Sequence, residues 1–141
     1  MALIETSQQI DAILPSLKTI AILGIKTADS GAAAFYVPEH AQSAGIRIIL
    51  VPVYYPDVTE ILGEKVYRRL ADIPEPLDAV IVFRRPKDIP AHLDDMLAAH
   101  PKVVWMQLGI RNDAVAAQLV QAGIDVVQDR CLMVELKARG R

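Results

Sequence analysis

Runs of mainly apolar residues recur along the chain at 19–23, 46–51, 79–83, 103–106 and 124–127, without sustained alternation and rich in Val or Ile. A strand with one wet face alternates apolar and polar residues, whereas an uninterrupted apolar strand is covered on both faces, as in a parallel sheet between helix layers. The segments 31–44, 89–100 and 112–121 have helical character and are long enough for the crossovers that parallel pairing requires. The pattern predicts an α/β protein built from a βα repeat. Gly45 and Gly123 follow the first and third of these segments, where a helix end takes a left-handed residue, and Asn112 can cap the helix it begins. Between 52 and 76 the chain is broken by Pro52, Pro56, Gly63, Pro74 and Pro76, leaving room for a short edge strand at 65–67. Pro38 lies inside the first helical segment, so that helix either kinks there or starts there. Shorter helices are predicted at 7–17 and 130–137, the latter capped by Asp129, with Lys137, Arg139 and Arg141 in a solvated tail.

The 141 residues are 52% hydrophobic and 23% charged, enough for one sizeable core, and the expectation is one domain over 1–141. Fifteen Lys and Arg against seventeen Asp and Glu give a net charge of -2, which argues against a nucleic-acid or anionic-membrane partner. The single cysteine excludes an internal disulfide or a cysteine zinc cluster and fits a reducing cytoplasm. Glu5 and Asp11 interrupt the N-terminal apolar residues, unlike a signal peptide, and no stretch is long enough to span a bilayer.

Open α/β sheets bind ligands at the carboxyl ends of their strands, beside the point where strand order reverses. The loops that leave those ends carry Lys26, Arg84, Arg85 and Lys87, a concentration of cations in a slightly acidic chain. Either they form an anion site, helped by the donors of the helix that follows Gly24 and Gly31, or they merely solvate loops. The turn after the first strand, Gly24-Ile25-Lys26-Thr27-Ala28-Asp29, lacks the remaining glycines of a dinucleotide fingerprint. The second strand ends in Val51-Pro52-Val53-Tyr54, with no acidic residue for a ribose. Pro52, Val53, Tyr54 and Tyr55 would instead suit an adenine face, or form ordinary loop packing. No phosphate-binding Gly-Lys-Ser/Thr loop is present.

Catalytic groupings are scarce. His40, His92 and His100 fall on helical segments without a second ligand at helical spacing, so no metal site is predicted. Cys131 is either a thiol activated at a helix start or a small interior side chain, and the second is expected. Asp94 and Asp95 are adjacent on a helix and read as a solvated face.

Taken in order, IAILG at 20–24, VPVYYP at 51–56, EILGEKVY at 60–67, DIPEPLDAVIVFRRP at 72–86, VVWMQLGIRN at 103–112 and VVQDRCLMVE at 126–135 resemble the single-domain CoA-binding protein family. That family is related to the N-terminal CoA-binding domain of the succinyl-CoA synthetase α subunit. The resemblance runs over about 17–136 and implies a Rossmann-like, doubly wound parallel sheet in three layers. The implied strand order is 3-2-1-4-5-6, with 65–67 as the third strand. It further implies coenzyme A as the cofactor, with Gly24, Ile25, Lys26 and Thr27 at the pyrophosphate. Pro52, Val53, Tyr54 and Tyr55 would border the adenosine, Phe83, Arg84, Arg85 and Pro86 would line the opposite wall, and Gln107, Leu108 and Gly109 would lie toward the pantetheine. Two departures stand out: Ile25-Lys26 replaces the common small residue after the first glycine, and Pro-Val-Tyr-Tyr-Pro is one residue longer than the usual Pro-Val-Asn-Pro. The expectation is a module that binds CoA or acyl-CoA without catalysis of its own. The alternatives are an NAD(P)-dependent enzyme on the same fold and an interaction subunit whose crevice the tyrosines fill.

Overall fold

A computed structural model describes residues 2–141. Its strands are β1 (Leu3–Ile4), β2 (Thr19–Leu23), β3 (Arg47–Val51), β4 (Glu60–Ile61), β5 (Glu64–Lys65), β6 (Ala79–Val82), β7 (Val103–Met106) and β8 (Asp125–Val127). Its α-helices are α1 (Ser7–Ile13), α2 (Ala33–Ser43), α3 (Leu93–Ala99), α4 (Asp113–Gln121) and α5 (Leu132–Lys137). Six strands form one parallel sheet in the order β1-β8-β7-β6-β2-β3.

The sheet has the expected Rossmann-like order, with β2 central and the reversal between β2 and β6, and it differs from expectation only at its edges. The third strand is reduced to a parallel bridge between Leu50 and Val66. Just before it, β4 and β5 pair antiparallel in a separate hairpin turned by Leu62 and Gly63, both at positive φ. At the far edge Leu3 and Ile4 add a strand beside β8, too short to show a period in the sequence.

Successive residues of each strand enter opposite cores, giving three layers. Ile20, Ile22, Ile48, Leu50, Ile81 and Trp105 pack with Ile10, Val37, Ala41 and Leu136, which brings α1, α2 and α5 onto one face. Ala21, Leu23, Val80, Val82, Val104 and Met106 pack with Ile89, Met96, Val115 and Leu119, which brings α3 and α4 onto the other. Trp105 is fully buried, and its indole N–H donates to the Arg130 carbonyl at 2.8 Å, so the ring is buried without an unsatisfied donor. At the amino ends of the strands the Asp78 carboxylate accepts from Lys18 N and Thr19 N, both at 2.9 Å, and pairs with Lys102 at 3.1 Å. Burial pushes its carboxyl pKa up, but these donors and the ammonium outweigh burial and hold it below the usual value.

The helix boundaries depart from expectation for local reasons. Pro86 and Pro90 hold Pro86–His92 in a 3-10 helix, leaving α3 only Leu93–Ala99. Gly31 ends a separate 3-10 turn at Ala28–Ser30 in the left-handed region, so α2 begins at Ala33 and runs through Pro38. The segment predicted at 7–17 is α-helical to Ile13 and 3-10 over Leu14–Ser16, and Thr6 and Gln9 form a reciprocal capping box at its start. Asn112 caps α4 as expected, accepting from Val115 N at 3.0 Å. Asp129 does not cap α5, which starts at Leu132; its carboxylate accepts from Gly109 N at 2.7 Å.

Asp95 is not a solvated residue either. Its two oxygens accept from Leu70 N at 2.7 Å and Ala71 N at 2.9 Å, capping the 3-10 turn Leu70–Asp72. The C-terminal arginines dock on α1 instead of forming a free tail: Arg139 meets Asp11 at 2.6 Å and Glu135 at 3.1 Å, and Arg141 donates to the Leu14 carbonyl at 3.4 Å. No helix among the described residues is long and apolar enough to cross a membrane.

One backbone crossing admits only glycine. Gly24 follows β2 at φ +86°, and a Cβ there would lie 2.4 Å from the Phe83 carbonyl oxygen at the end of the neighbouring β6. Gly24→Ala is therefore expected to destabilise the fold by at least about 1–3 kcal/mol, the usual strain of a side chain in that region before the clash is added. A lowered urea midpoint at unchanged m-value would show it, and an unshifted midpoint would refute the crossing.

Candidate functional site

The carboxyl ends of β2, β3 and β6 lie side by side, since Leu23 pairs with both Val51 and Val82. Gly24 N donates to the Val51 carbonyl at 2.8 Å and Phe83 N to the Leu23 carbonyl at 2.9 Å, extending both ladders by one step before the loops part. A cleft of about 370 Å³ opens beside this point, lined by Lys26, by 32–34 at the start of α2, by 83–86 after β6, and by Gly109 and Ile110 after β7.

The floor of the cleft is a helix end without a cap. Position N-cap of α2 is Ala32, which offers no side-chain acceptor, and the N–H groups of Ala33 and Ala34 have no partner among the described residues. A helix start is usually closed by Ser, Thr, Asp or Asn, so free donors at the positive end of the helix dipole are available to an anion. Three alanines in a row also leave the backbone approachable.

Pro38 contributes to this geometry. Having no N–H, it leaves the Ala34 carbonyl one turn earlier without its helical partner, and Lys26 N takes that carbonyl at 3.2 Å. The loop after β2 is thereby fastened to the first turn of α2. Lys26 is half-buried at the cleft, and its ammonium makes no ion pair among the described residues.

The opposite wall is more ordered. The Arg84 side chain is 14% exposed, and its stem lies over Gly24, with Cδ 3.2 Å from where a Cβ would be. Its Nε donates to His92 Nε2 at 3.2 Å, its Nη1 donates to the Tyr54 hydroxyl at 3.3 Å, and the guanidinium stands 5.5 Å from the centre of the Tyr54 ring. Asp88 meets Arg85 at 2.8 Å and Arg84 at 3.8 Å. The hydrogen bond from Arg85 and the nearby guanidinium charges hold Asp88 below the usual carboxylate range, so it stays ionised and offsets part of the positive charge. The donation from Arg84, followed by its charge, lowers the Tyr54 phenol pKa.

The predicted residues divide accordingly. Lys26, Phe83, Arg84, Arg85, Pro86 and Gly109 meet around the cleft. Thr27 lies one residue beyond Lys26 and bonds Asp29. Ile25 is 1% exposed and packs in the core, and it does not line the cleft. Pro52 is buried and Val53 packs on the core, while Tyr55 is half-buried, so the 52–55 segment reaches the mouth only through Tyr54. Gln107 is buried, its Oε1 accepting from Leu132 N at 3.4 Å and its Nε2 unpartnered. Leu108 faces a separate groove with Leu3, Cys131 and Val134. Cys131 is partly buried against the core.

Sequence reasoning did not single out Ala32, Ala33, Ala34, Asp88 or the approach of His92 to Arg84. The available signal was the run of alanines where a capping residue belonged.

The fold and site together define an α/β domain with an open parallel sheet, an uncapped helix start, Lys26 and two arginines standing at the reversal point. A CoA binding domain model matches residues 18–137, and the chain belongs to that family. It is 32% identical over 126 residues to the uncharacterized protein YneT of Bacillus subtilis (strain 168), covering 89% of this chain and 90% of that protein. The structure of cell-free ID.343 from Thermus thermophilus superposes with a TM-score of 0.86 at 40% identity, covering 95% of this chain and 98% of the other. The apo dinucleotide-forming acetyl-coenzyme A synthetase 1 of Ca. Korarchaeum cryptofilum shares the fold alone, with a TM-score of 0.64 at 16% identity over 77% of this chain and 25% of that one.

Burial, followed by the Arg84 charge, lowers the His92 pKa from its ordinary value of 6.5. The unfolded chain thus binds more protons than the folded one below about pH 6.5. The stability gained from this site is complete above that pH and is lost progressively as pH falls toward the depressed native value. Urea unfolding between pH 5 and 8 should show a slope that His92→Gln removes, and equal slopes in both proteins would refute the assignment.

Proposed function

We propose that this chain binds coenzyme A or an acyl-CoA and carries out no chemical step on it. The observation that carries this function is the free first turn of α2, whose unpartnered N–H groups face a cleft rimmed by Lys26, Arg84 and Arg85. A pyrophosphate meets both requirements there: backbone donors on the helix axis, and cations able to make charge-assisted hydrogen bonds. The pantetheine arm would run along Phe83 to Pro86 toward Gly109 and Ile110, and the adenosine would extend the other way, beside the exposed Tyr54 ring. Membership of the CoA-binding domain family supports the same ligand. The bound coenzyme would then be sensed or presented to a partner in a reducing cytoplasm, with residues 1–141 acting as one CoA-binding domain.

A nicotinamide dinucleotide is the competing ligand for such a fold, and it finds neither the glycine fingerprint nor an acidic residue at the end of β3. Tyrosines filling the crevice would define a third function, as an interaction subunit. Against it, Tyr54 is 54% exposed and stands at the mouth over Arg84.

Calorimetric titration with CoA, dephospho-CoA and NAD separates the three. Selective CoA binding is expected; NAD alone would move the chain to the dinucleotide class, and no binding would leave the interaction subunit. Lys26→Glu should weaken CoA binding at least several-fold by replacing the unpaired cation with a like charge to the phosphates, and an unchanged isotherm would remove Lys26 from the site.

A further inference from the structure

The loop between β3 and β4 is held by one side chain that lies outside the cleft. Arg68 donates from Nη1 to the Tyr54 carbonyl at 3.2 Å and from Nη2 to the carbonyls of Tyr55 at 2.8 Å, Pro56 at 3.3 Å and Val58 at 2.6 Å. Carbonyl dipoles converging on one point repel one another, and a planar guanidinium with its forked donors is the side chain that can gather them. The loop needs that restraint, because Tyr55 is forced to φ 62°, a left-handed conformation that is strained for a non-glycine residue.

At the start of the same loop the Tyr54 ring and hydroxyl rest on Arg84. Tyr54 follows β3 and Arg84 follows β6, and the two strands flank β2, so their contact bridges the sheet reversal above Gly24. An arginine left to itself samples many rotamers, and ordering it on binding costs conformational entropy. Here Tyr54, His92 and Asp88 have already fixed it.

We propose that Arg68 is a positioning residue: by gathering the carbonyls of 54–58 it holds the Tyr54 phenol over Arg84, and so keeps that guanidinium directed at the edge of the anion-binding cleft. This assignment rests on the coenzyme-binding function proposed above for its effect on affinity, but the contact itself can be read without any ligand. The lowered phenol pKa of Tyr54 depends on Arg84 being in place.

The test compares wild type with Arg68→Ala and Arg68→Lys by two measurements. Titration of 13C-labelled tyrosines by NMR, with Tyr54 assigned through Tyr54→Phe, should show the Tyr54 phenol moving up toward its ordinary value in both Arg68 variants. Calorimetry should show CoA affinity falling about five-fold or more, while the fold is retained with a lowered melting temperature. Lys is expected not to rescue, because its ammonium lacks the fork. Should Arg68→Ala fail to fold, Arg68→Lys carries both readouts. A Tyr54 titration identical in wild type and the Arg68 variants overturns the inference whatever the affinities are. If wild type binds no CoA, the coenzyme function fails, and the Tyr54 titration still decides the role of Arg68.

Discussion

Parallel pairing of β2 with β3 on one side and β6 on the other, in register to their last residues, is the constraint on which the remaining geometry depends. Three chains leave the sheet at one level, and something has to give where their loops begin. Gly24 supplies the room: with no Cβ it lets the Phe83 carbonyl and the stem of Arg84 pass directly over the end of β2. From there the guanidinium reaches Tyr54 and His92, and the far side of the same crossing becomes the wall of the cleft. Backbone packing in the sheet thus determines where a charge sits at the surface.

Much of the sheet was legible in the sequence, because strands covered on both faces leave continuous apolar runs that no surface element imitates. Its two edges were not. β1 is two residues long, and the third strand survives as a single bridge beside a hairpin, so neither leaves a periodic signal. Helix ends followed the same division. Asn112 and Gly123 act locally and were readable, whereas Asp95 and Asp129 spend their carboxylates on backbone groups far along the chain, which no local pattern encodes. The site was legible as a set of loops but not as a set of contacts. The cations were visible, but not that Ile25 turns inward, that Asp88 offsets two of the arginines, or that an alanine stands where a cap belongs.

The cleft also shows how a chain of net charge -2 builds a locally positive mouth. Arg84 and Arg85 share one carboxylate, and Lys26 has none among the described residues, so the groups around the α2 N-terminus are only partly neutralised. Burial of Arg84 matters as much as its charge, since an ion pair fully in water contributes little and is readily screened. The ionised groups that stabilise the fold are placed elsewhere, at the opposite ends of the strands around Asp78 and where Arg139 ties the C-terminus to α1.

Pro38 would attract anyone redesigning this protein for heat tolerance, since a proline inside a helix is among the first residues such a redesign removes. Giving position 38 its missing N–H would return the Ala34 carbonyl to the helix and take away the acceptor that Lys26 N now uses. The repaired helix would hold together better by itself while its loop came unhooked. The apparent defect is a joint between scaffold and cleft, and a variant selected for melting temperature alone would tend to lose it.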